Sequence, residues 1–202
     1  MTQSPATDAL AARLAADGYA VAGGYFDPAL CQTLAAEALA LATDIAAIEA
    51  GIGRGADRAN APEIRRARIR WLDGTTTAQR QFLAEAESLR VMLNRTLFLG
   101  LQSFEAQLAL TPAGGFYQRH VDSFRGARNR VVSMVAYLNT GWRPSDGGCL
   151  RVWPAAAEEP TIDVLPAATT LVLMLSEETS HEVLPSHQPR ASVAGWFRVN
   201  AG

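Results

Sequence analysis

The chain changes texture at Ser103, and that change constrains its fold more than any other feature. Beyond it Phe104, Ala106, Leu108 and Leu110 alternate with Glu105 and Gln107, and strand-like runs follow at Arg130 to Leu138, Cys149 to Trp153, Thr170 to Leu175 and Val193 to Val199. Turn-forming clusters at Asn139-Thr140-Gly141, Ser145-Asp146-Gly147-Gly148 and Ser186-His187-Gln188-Pro189 separate several of them. Many short strands between turns predict two facing antiparallel sheets, a jelly roll. Before Ser103 the pattern is mainly helical, so the fold class reads as α+β: a double-stranded β-helix core supported by N-terminal helices.

In that first half, Leu10, Ala11 and Leu14 recur at helical spacing up to Gly18, and a strand is expected at Tyr19 to Ala22. Asp27-Pro28 reads as an N-cap with proline at the first helical position. The helix it opens is expected to run through Leu30, Leu34, Ala38, Leu41, Ile45 and Ile48. Gly51 to Pro62 holds three glycines with Arg54, Asp57, Arg58 and Asn60 and no periodicity, which predicts a mobile loop of the kind that often serves as a lid. A short strand at Ile69 to Leu72 ends at Asp73-Gly74, and Thr77 is expected to cap a helix through Phe82, Leu89, Leu93 and Leu97. With no internal repeat and 202 residues, the chain is expected to be one domain, residues 1–102 forming support and loop and 103–202 the strands.

A hydrophobic fraction of 49% gives that domain a core, and a formal charge of -2 excludes the basic footprint of nucleic-acid binding. All 18 basic residues are arginine, so lysine Schiff-base chemistry is absent and only arginine can clamp a carboxylate. Cys31 and Cys149 are too isolated for a disulfide framework or a thiolate metal site and read as reduced thiols. The N-terminus has no basic-then-apolar leader and no stretch is apolar enough to span a bilayer, so the expectation is a cytoplasmic protein without membrane contact.

The chemistry concentrates in Tyr117-Gln118-Arg119-His120-Val121-Asp122. On an extended strand, residues two apart share a face, so His120 and Asp122 can offer a nitrogen and a carboxylate oxygen to one point. His181, after the apolar run Leu171 to Leu175, can supply a third ligand. Two histidines and a carboxylate on one face of an octahedral ion leave open positions, the arrangement of non-haem Fe(II) oxygenases. Nine residues on, past the Ser186 to Pro189 turn, a hairpin would put Arg190 on the neighbouring strand, pointing back at the metal and able to grip a dicarboxylate. Ser192, on the same face, can donate to that carboxylate, and Tyr137, inside an apolar run, needs a polar partner that the carboxylate would provide. His187 lies in a polar turn and reads as a solvated surface residue.

With these residues in view the chain resembles a 2-oxoglutarate- and Fe(II)-dependent dioxygenase of the prolyl 4-hydroxylase group, which includes the hydroxylases of hypoxia-inducible factor and their bacterial counterparts. The matching segments are Tyr117 to Asp122, Tyr137-Leu138-Asn139-Thr140-Gly141-Trp142, Gly147-Gly148-Cys149-Leu150-Arg151, and His181-Glu182-Val183 with Arg190 and Trp196, with weaker matches at Gly18 to Phe26 and Arg68 to Gly74. The resemblance implies iron at His120, Asp122 and His181, 2-oxoglutarate on Arg190 and Tyr137, and a cosubstrate pocket lined by Val135, Leu150, Val183 and Trp196. It implies dioxygen as co-reactant, ascorbate as reductant, and hydroxylation of C4 of a prolyl residue with release of succinate and CO2. It also implies a substrate loop over Gly51 to Arg66, with Arg54, Asp57, Arg58 and Arg65, that folds over a proline-containing protein or peptide, such as a translation factor or ribosomal protein. Two positions depart from the animal enzymes: Leu110-Thr111-Pro112-Ala113-Gly114 lacks a tyrosine, and Ala67 replaces an aspartate. The alternatives are an oxygenase acting on free proline or another small molecule, a non-catalytic sensor of metal and 2-oxoglutarate, and a zinc hydrolase, which Arg190 and Tyr137 disfavour.

Overall fold

The computed structural model describes residues 5–45, 47–49, 67–124, 126, 129–155 and 157–200. Three helices, α1 (Pro5–Asp17), α2 (Pro28–Ala40) and α3 (Thr77–Leu97), accompany eleven strands. The strands are β1 (Tyr19–Ala22), β2 (Ile48–Glu49), β3 (Arg68–Trp71), β4 (Ser103–Thr111), β5 (Tyr117–His120), β6 (Arg130–Tyr137), β7 (Leu150–Trp153), β8 (Ile162–Val164), β9 (Leu171–Leu175), β10 (Ser180–Val183) and β11 (Arg190–Arg198). They form a seven-stranded sheet in the order β1-β9-β6-β11-β4-β3-β2 and a four-stranded sheet in the order β5-β10-β7-β8, with antiparallel pairing throughout.

Strand periodicity divides the large sheet into two faces. Leu108, Leu110, Leu173, Val193 and Phe197 pack with Leu34, Phe82, Leu89 and Leu93, joining the sheet to the helices in one core. From the opposite face Tyr137, Val172 and Met174 meet Leu150, Val152 and Val164 of the small sheet. The architecture is a jelly roll braced on one side by helices.

Local chemistry explains most boundaries. Asp27 caps α2 by accepting from the backbone N–H groups of Ala29 and Leu30 at 2.6 and 3.2 Å. That helix ends at Ala40, short of the expected Ile48. The Leu41 N–H turns back onto Ala38, and Arg68 donates to the carbonyls of Ala42 and Asp44 at 2.7 and 2.8 Å, satisfying acceptors that a longer helix would have used. Ile45 is fully exposed and Ile48 lies in β2, so their helical spacing had no surface to cover. The cap of α3 is Thr76 rather than Thr77: its hydroxyl accepts from the Gln79 N–H at 3.1 Å and donates to Glu37 of α2 at 2.7 Å. Three consecutive threonines concealed which one had that helix–helix partner. The short strands β2, β8 and β10 carry too little periodicity to be read from sequence. The Gly51 to Arg66 loop lies outside the described residues.

Asn139, just after β6, is the polar staple of the core. Its amide donates to the carbonyls of Pro166 and Ala191 at 2.8 and 3.0 Å, and its oxygen accepts from the Ala191 N–H at 2.7 Å. This fixes the start of β11 beside Arg190. Asn139→Ala leaves buried groups unmatched and should lower stability by on the order of 3 kcal/mol, read as a fall in the urea midpoint at unchanged slope. An unaltered midpoint would show that the three bonds hold nothing together.

Candidate metal centre and its anion pocket

The site begins with register. His181 on β10 lies opposite His120, the last residue of β5, and also pairs with Val152 of β7. Cross-strand pairing brings the two imidazoles to a centroid distance of 4.4 Å. Asp122 does not share the strand with His120, as the sequence reading supposed; it sits in the bend that follows β5. That bend is fastened to the large sheet by the Ser123 N–H, which donates to the Ser176 carbonyl at 3.1 Å.

The three side chains converge. One ligand atom from each of His120, Asp122 and His181 lies within 4.8 Å of the other two. The Nε2 atoms of His120 and His181 each stand 3.7 Å from an Asp122 oxygen, beyond hydrogen-bonding range. Their other nitrogens face backbone: His120 Nδ1 lies 2.7 Å from the Gln118 carbonyl, and His181 Nδ1 lies 3.4 Å from that of Thr179. With Nδ1 protonated toward these carbonyls, each Nε2 presents a lone pair to the shared point, as metal ligation requires. Tyr117 stacks on His120 at 3.6 Å and restricts its rotation.

Burial pushes the Asp122 carboxyl pKa upward more strongly than any other single influence. His181, His120, the Ser133 hydroxyl and the Trp196 indole together outweigh it and hold the group at about 2. The carboxylate is therefore an anion at neutral pH. Ser133 and Ser176 are both fully buried, with hydroxyls 2.8 Å apart. A carboxylate can only accept, so Ser176 donates to Ser133 and Ser133 is free to donate toward Asp122. The sequence reading missed both serines. The available signal was parity: Ser133, Val135 and Tyr137 project from one face of an apolar strand.

The second half of the site belongs to the other sheet. Arg190 opens β11 and Tyr137 closes β6; both are buried, and Arg190 Nη2 donates to the Tyr137 hydroxyl at 3.2 Å. The two residues are not on a hairpin with His181, because β10 and β11 lie in different sheets. The link between them crosses the sandwich, so the guanidinium faces the triad from the opposite wall. Among the described residues no acidic side chain pairs with Arg190, and its Nε is buried without a hydrogen-bond partner. A buried cation in this state calls for an anion. Gly148 (φ +68°) makes room, since a Cβ there would stand 3.1 Å from Arg190 Cδ. Burial raises the Tyr137 pKa more than Arg190 lowers it, so the phenol keeps its proton.

Ser192 lies across from Tyr137 in the register, and Val135, Leu150 and Val183 pack around Tyr137. Trp196 is elsewhere, beside Asp122, with Trp71 at 6.3 Å and the Arg130 guanidinium 3.7 Å from its ring. Arg130 pairs with Glu105 at 2.8 Å, which gives it a carboxylate although Ala67 offers none. Arg151 pairs with Asp163, Arg119 stacks over Trp153, and both cysteines are free. Arg54, Asp57, Arg58 and Arg65 fall outside the described residues.

Comparison with known proteins decides the family. Residues 106–198 match the model of the 2OG-Fe(II) oxygenase superfamily. The crystal structure of a Pseudomonas putida prolyl-4-hydroxylase is 40% identical, with a TM-score of 0.85, covering 96% of this chain and 100% of that one. This chain belongs to the 2OG-Fe(II) oxygenase superfamily. It is a dioxygenase of the prolyl 4-hydroxylase type. A Trichoplax adhaerens prolyl hydroxylase, solved with a hypoxia-inducible-factor peptide fragment, shares the fold at 21% identity and a TM-score of 0.83, covering 96% of this chain and 89% of that one. A viral collagen prolyl hydroxylase from Paramecium Bursaria Chlorella virus-1, solved with 2OG, shares it at 15% identity and a TM-score of 0.66, covering 91% and 97%. The donor set of this dioxygenase fits Fe(II), and its unpaired buried guanidinium fits a dicarboxylate.

Metal binding by the apoprotein tests the triad directly. Asp122→Ala and His181→Ala should abolish Co(II) binding measured by calorimetry, and Ser133→Ala should weaken it roughly 10- to 100-fold by freeing the carboxylate to turn. Wild-type affinity in either ligand variant would remove that residue from the metal site.

Proposed function

We propose that this dioxygenase hydroxylates C4 of a prolyl residue in a protein or peptide. The observation that carries the reading is the pairing, across one sandwich, of a two-histidine, one-aspartate cluster with a buried arginine that lacks an anionic partner. His120, Asp122 and His181 would hold Fe(II). Arg190, Tyr137 and Ser192 would bind the distal carboxylate of 2-oxoglutarate, with Val135, Leu150 and Val183 excluding water around its chain and Trp196 standing at the metal end. Fe(II), 2-oxoglutarate and dioxygen supply the oxidation that converts a substrate C–H to C–OH, with succinate and CO2 as co-products.

The protein's part is placement. The histidine tautomers direct two lone pairs at the metal, Asp122 contributes a negative charge, and protonated Tyr137 can donate to the carboxylate that Arg190 neutralises. The prolyl 4-hydroxylase at 40% identity supports a prolyl substrate. The relative solved with a peptide supports a protein target over the free amino acid, and the Gly51 to Arg66 segment, with Arg54, Asp57, Arg58 and Arg65, is our candidate for gripping it. We read the chain as one domain acting in the cytoplasm on a target of the translation machinery, with ascorbate keeping iron reduced. No helix among the described residues is long and apolar enough to cross a membrane.

The test is succinate formation by anaerobically purified protein supplied with Fe(II), 2-oxoglutarate, ascorbate, air and cell extract. Iron- and oxygen-dependent succinate, lost in His181→Ala, is expected, together with a +16 Da prolyl residue in an extract protein. No succinate would leave a non-catalytic binder of metal and 2-oxoglutarate. Arg190→Ala should raise the KM for 2-oxoglutarate roughly 10- to 100-fold while retaining the metal; an unchanged KM would place the cosubstrate elsewhere.

A further inference from the structure

A buried polar atom without a partner calls for an explanation, and a ligand is one. Such atoms among the described residues include Arg190 Nε, Trp196 Nε1, Ser123 Oγ and Gln107 Nε2. Arg190 faces the proposed distal carboxylate, Trp196 stands over Asp122, and Ser123 adjoins the metal bend. Gln107 has no role in anything described so far.

Its position is set by alternation. On β4, Ala106, Leu108 and Leu110 enter the helix-side core, which turns Gln107 and Ala109 onto the opposite face of the sheet, where Ala109 packs with Ala67 and Ile69. The register places Gln107 beside Ala194 of β11 and Trp71 of β3. The inward residues of β11 run Arg190, Ser192, Ala194, Trp196, so Gln107 stands beside the stretch between the distal anchor and the residue that touches Asp122. Arg190 and Ala194 are four residues apart, about 13 Å of strand, a span that an extended arginine side chain and a five-carbon diacid together bridge. Ala194 and Ala109 flank the amide with no more than a methyl group each. Glu105, two residues away on the same strand, is occupied by Arg130 and Arg198. Leucine would fill the Gln107 site, 2% exposed, without stranding a polar group.

We propose that the Gln107 side-chain amide donates a hydrogen bond to the metal-end carboxylate of the bound 2-oxo acid, making Gln107 a second cosubstrate anchor about two strand steps from Arg190. The inference rests on the 2-oxoglutarate reading above. It predicts opposite effects of one substitution, because a group kept for a ligand is a liability without it. Gln107→Leu should leave the Tm of the apoprotein unchanged or raised and Mn(II) affinity unchanged, yet weaken 2-oxoglutarate binding to the Mn(II)-loaded, anaerobic protein at least about tenfold. Gln107→Glu, nearly isosteric, sets like charges together and should weaken it further.

Calorimetric titration of wild type and both variants with 2-oxoglutarate, alongside thermal melts, is decisive. Wild type that binds 2-oxoglutarate with both variants matching its Kd overturns the Gln107 role and leaves the cosubstrate site standing. Wild type that fails to bind 2-oxoglutarate at all overturns the cosubstrate reading itself. A Gln107→Leu Tm well below wild type, with Gln107→Glu binding normally, assigns the residue to packing and also overturns the proposal.

Discussion

The site depends on how the small sheet packs against the large one. The metal cluster is built on strands of the four-stranded sheet and the bend after β5, while the arginine that awaits an anion projects from the seven-stranded sheet. Neither sheet carries a complete site. The apolar contacts of Tyr137, Val172 and Met174 with Leu150, Val152 and Val164 therefore do more than exclude water, because they set the distance between the metal cluster and Arg190. Interiors packed at crystal-like density are barely compressible, so that distance is held. The helices stiffen the outer face of the large sheet and so act on the site at one remove.

The polar groups divide along the same line. Around the metal, Asp122 has the Ser133 hydroxyl supported by Ser176 and the Trp196 indole beside it, while the Ser123 N–H ties the bend to the Ser176 carbonyl. Around Arg190 the charge is left uncompensated among the described residues. Arg198 and Arg130 share Glu105 and Arg151 has Asp163, whereas among the described residues Arg190 has a neutral phenol and no carboxylate. A buried arginine without a carboxylate is costly unless an anion joins it.

Much of this was legible in the sequence, and the misreadings share a physical cause. Residue chemistry picked out His120, Asp122 and His181, which the fold brings together, and Arg190 and Tyr137, which it places in contact. What failed was inference about which strands are neighbours. Nine residues with a turn suggested a hairpin from His181 to Arg190, but a jelly roll passes successive strands between sheets, and local sequence holds no record of the crossing. The α2 boundary failed likewise, since Arg68, far away in sequence, takes the carbonyls that would have continued the helix. Ser133 went unremarked, and Gln107 was read only as part of the alternation of β4, because the role of a polar residue on a strand depends on what the opposite wall presents.

The imidazole tautomers have a consequence for how such a site endures change. Each histidine turns its Nδ1 toward the main-chain carbonyl two residues earlier, Gln118 for one and Thr179 for the other. Every residue type possesses that carbonyl. Substitution at either position leaves the acceptor in place, so the orientation of the ligating nitrogens is insulated from drift in the neighbouring side chains. The surface around the metal is free to be rewritten for new targets while the inorganic heart of the molecule stays the same.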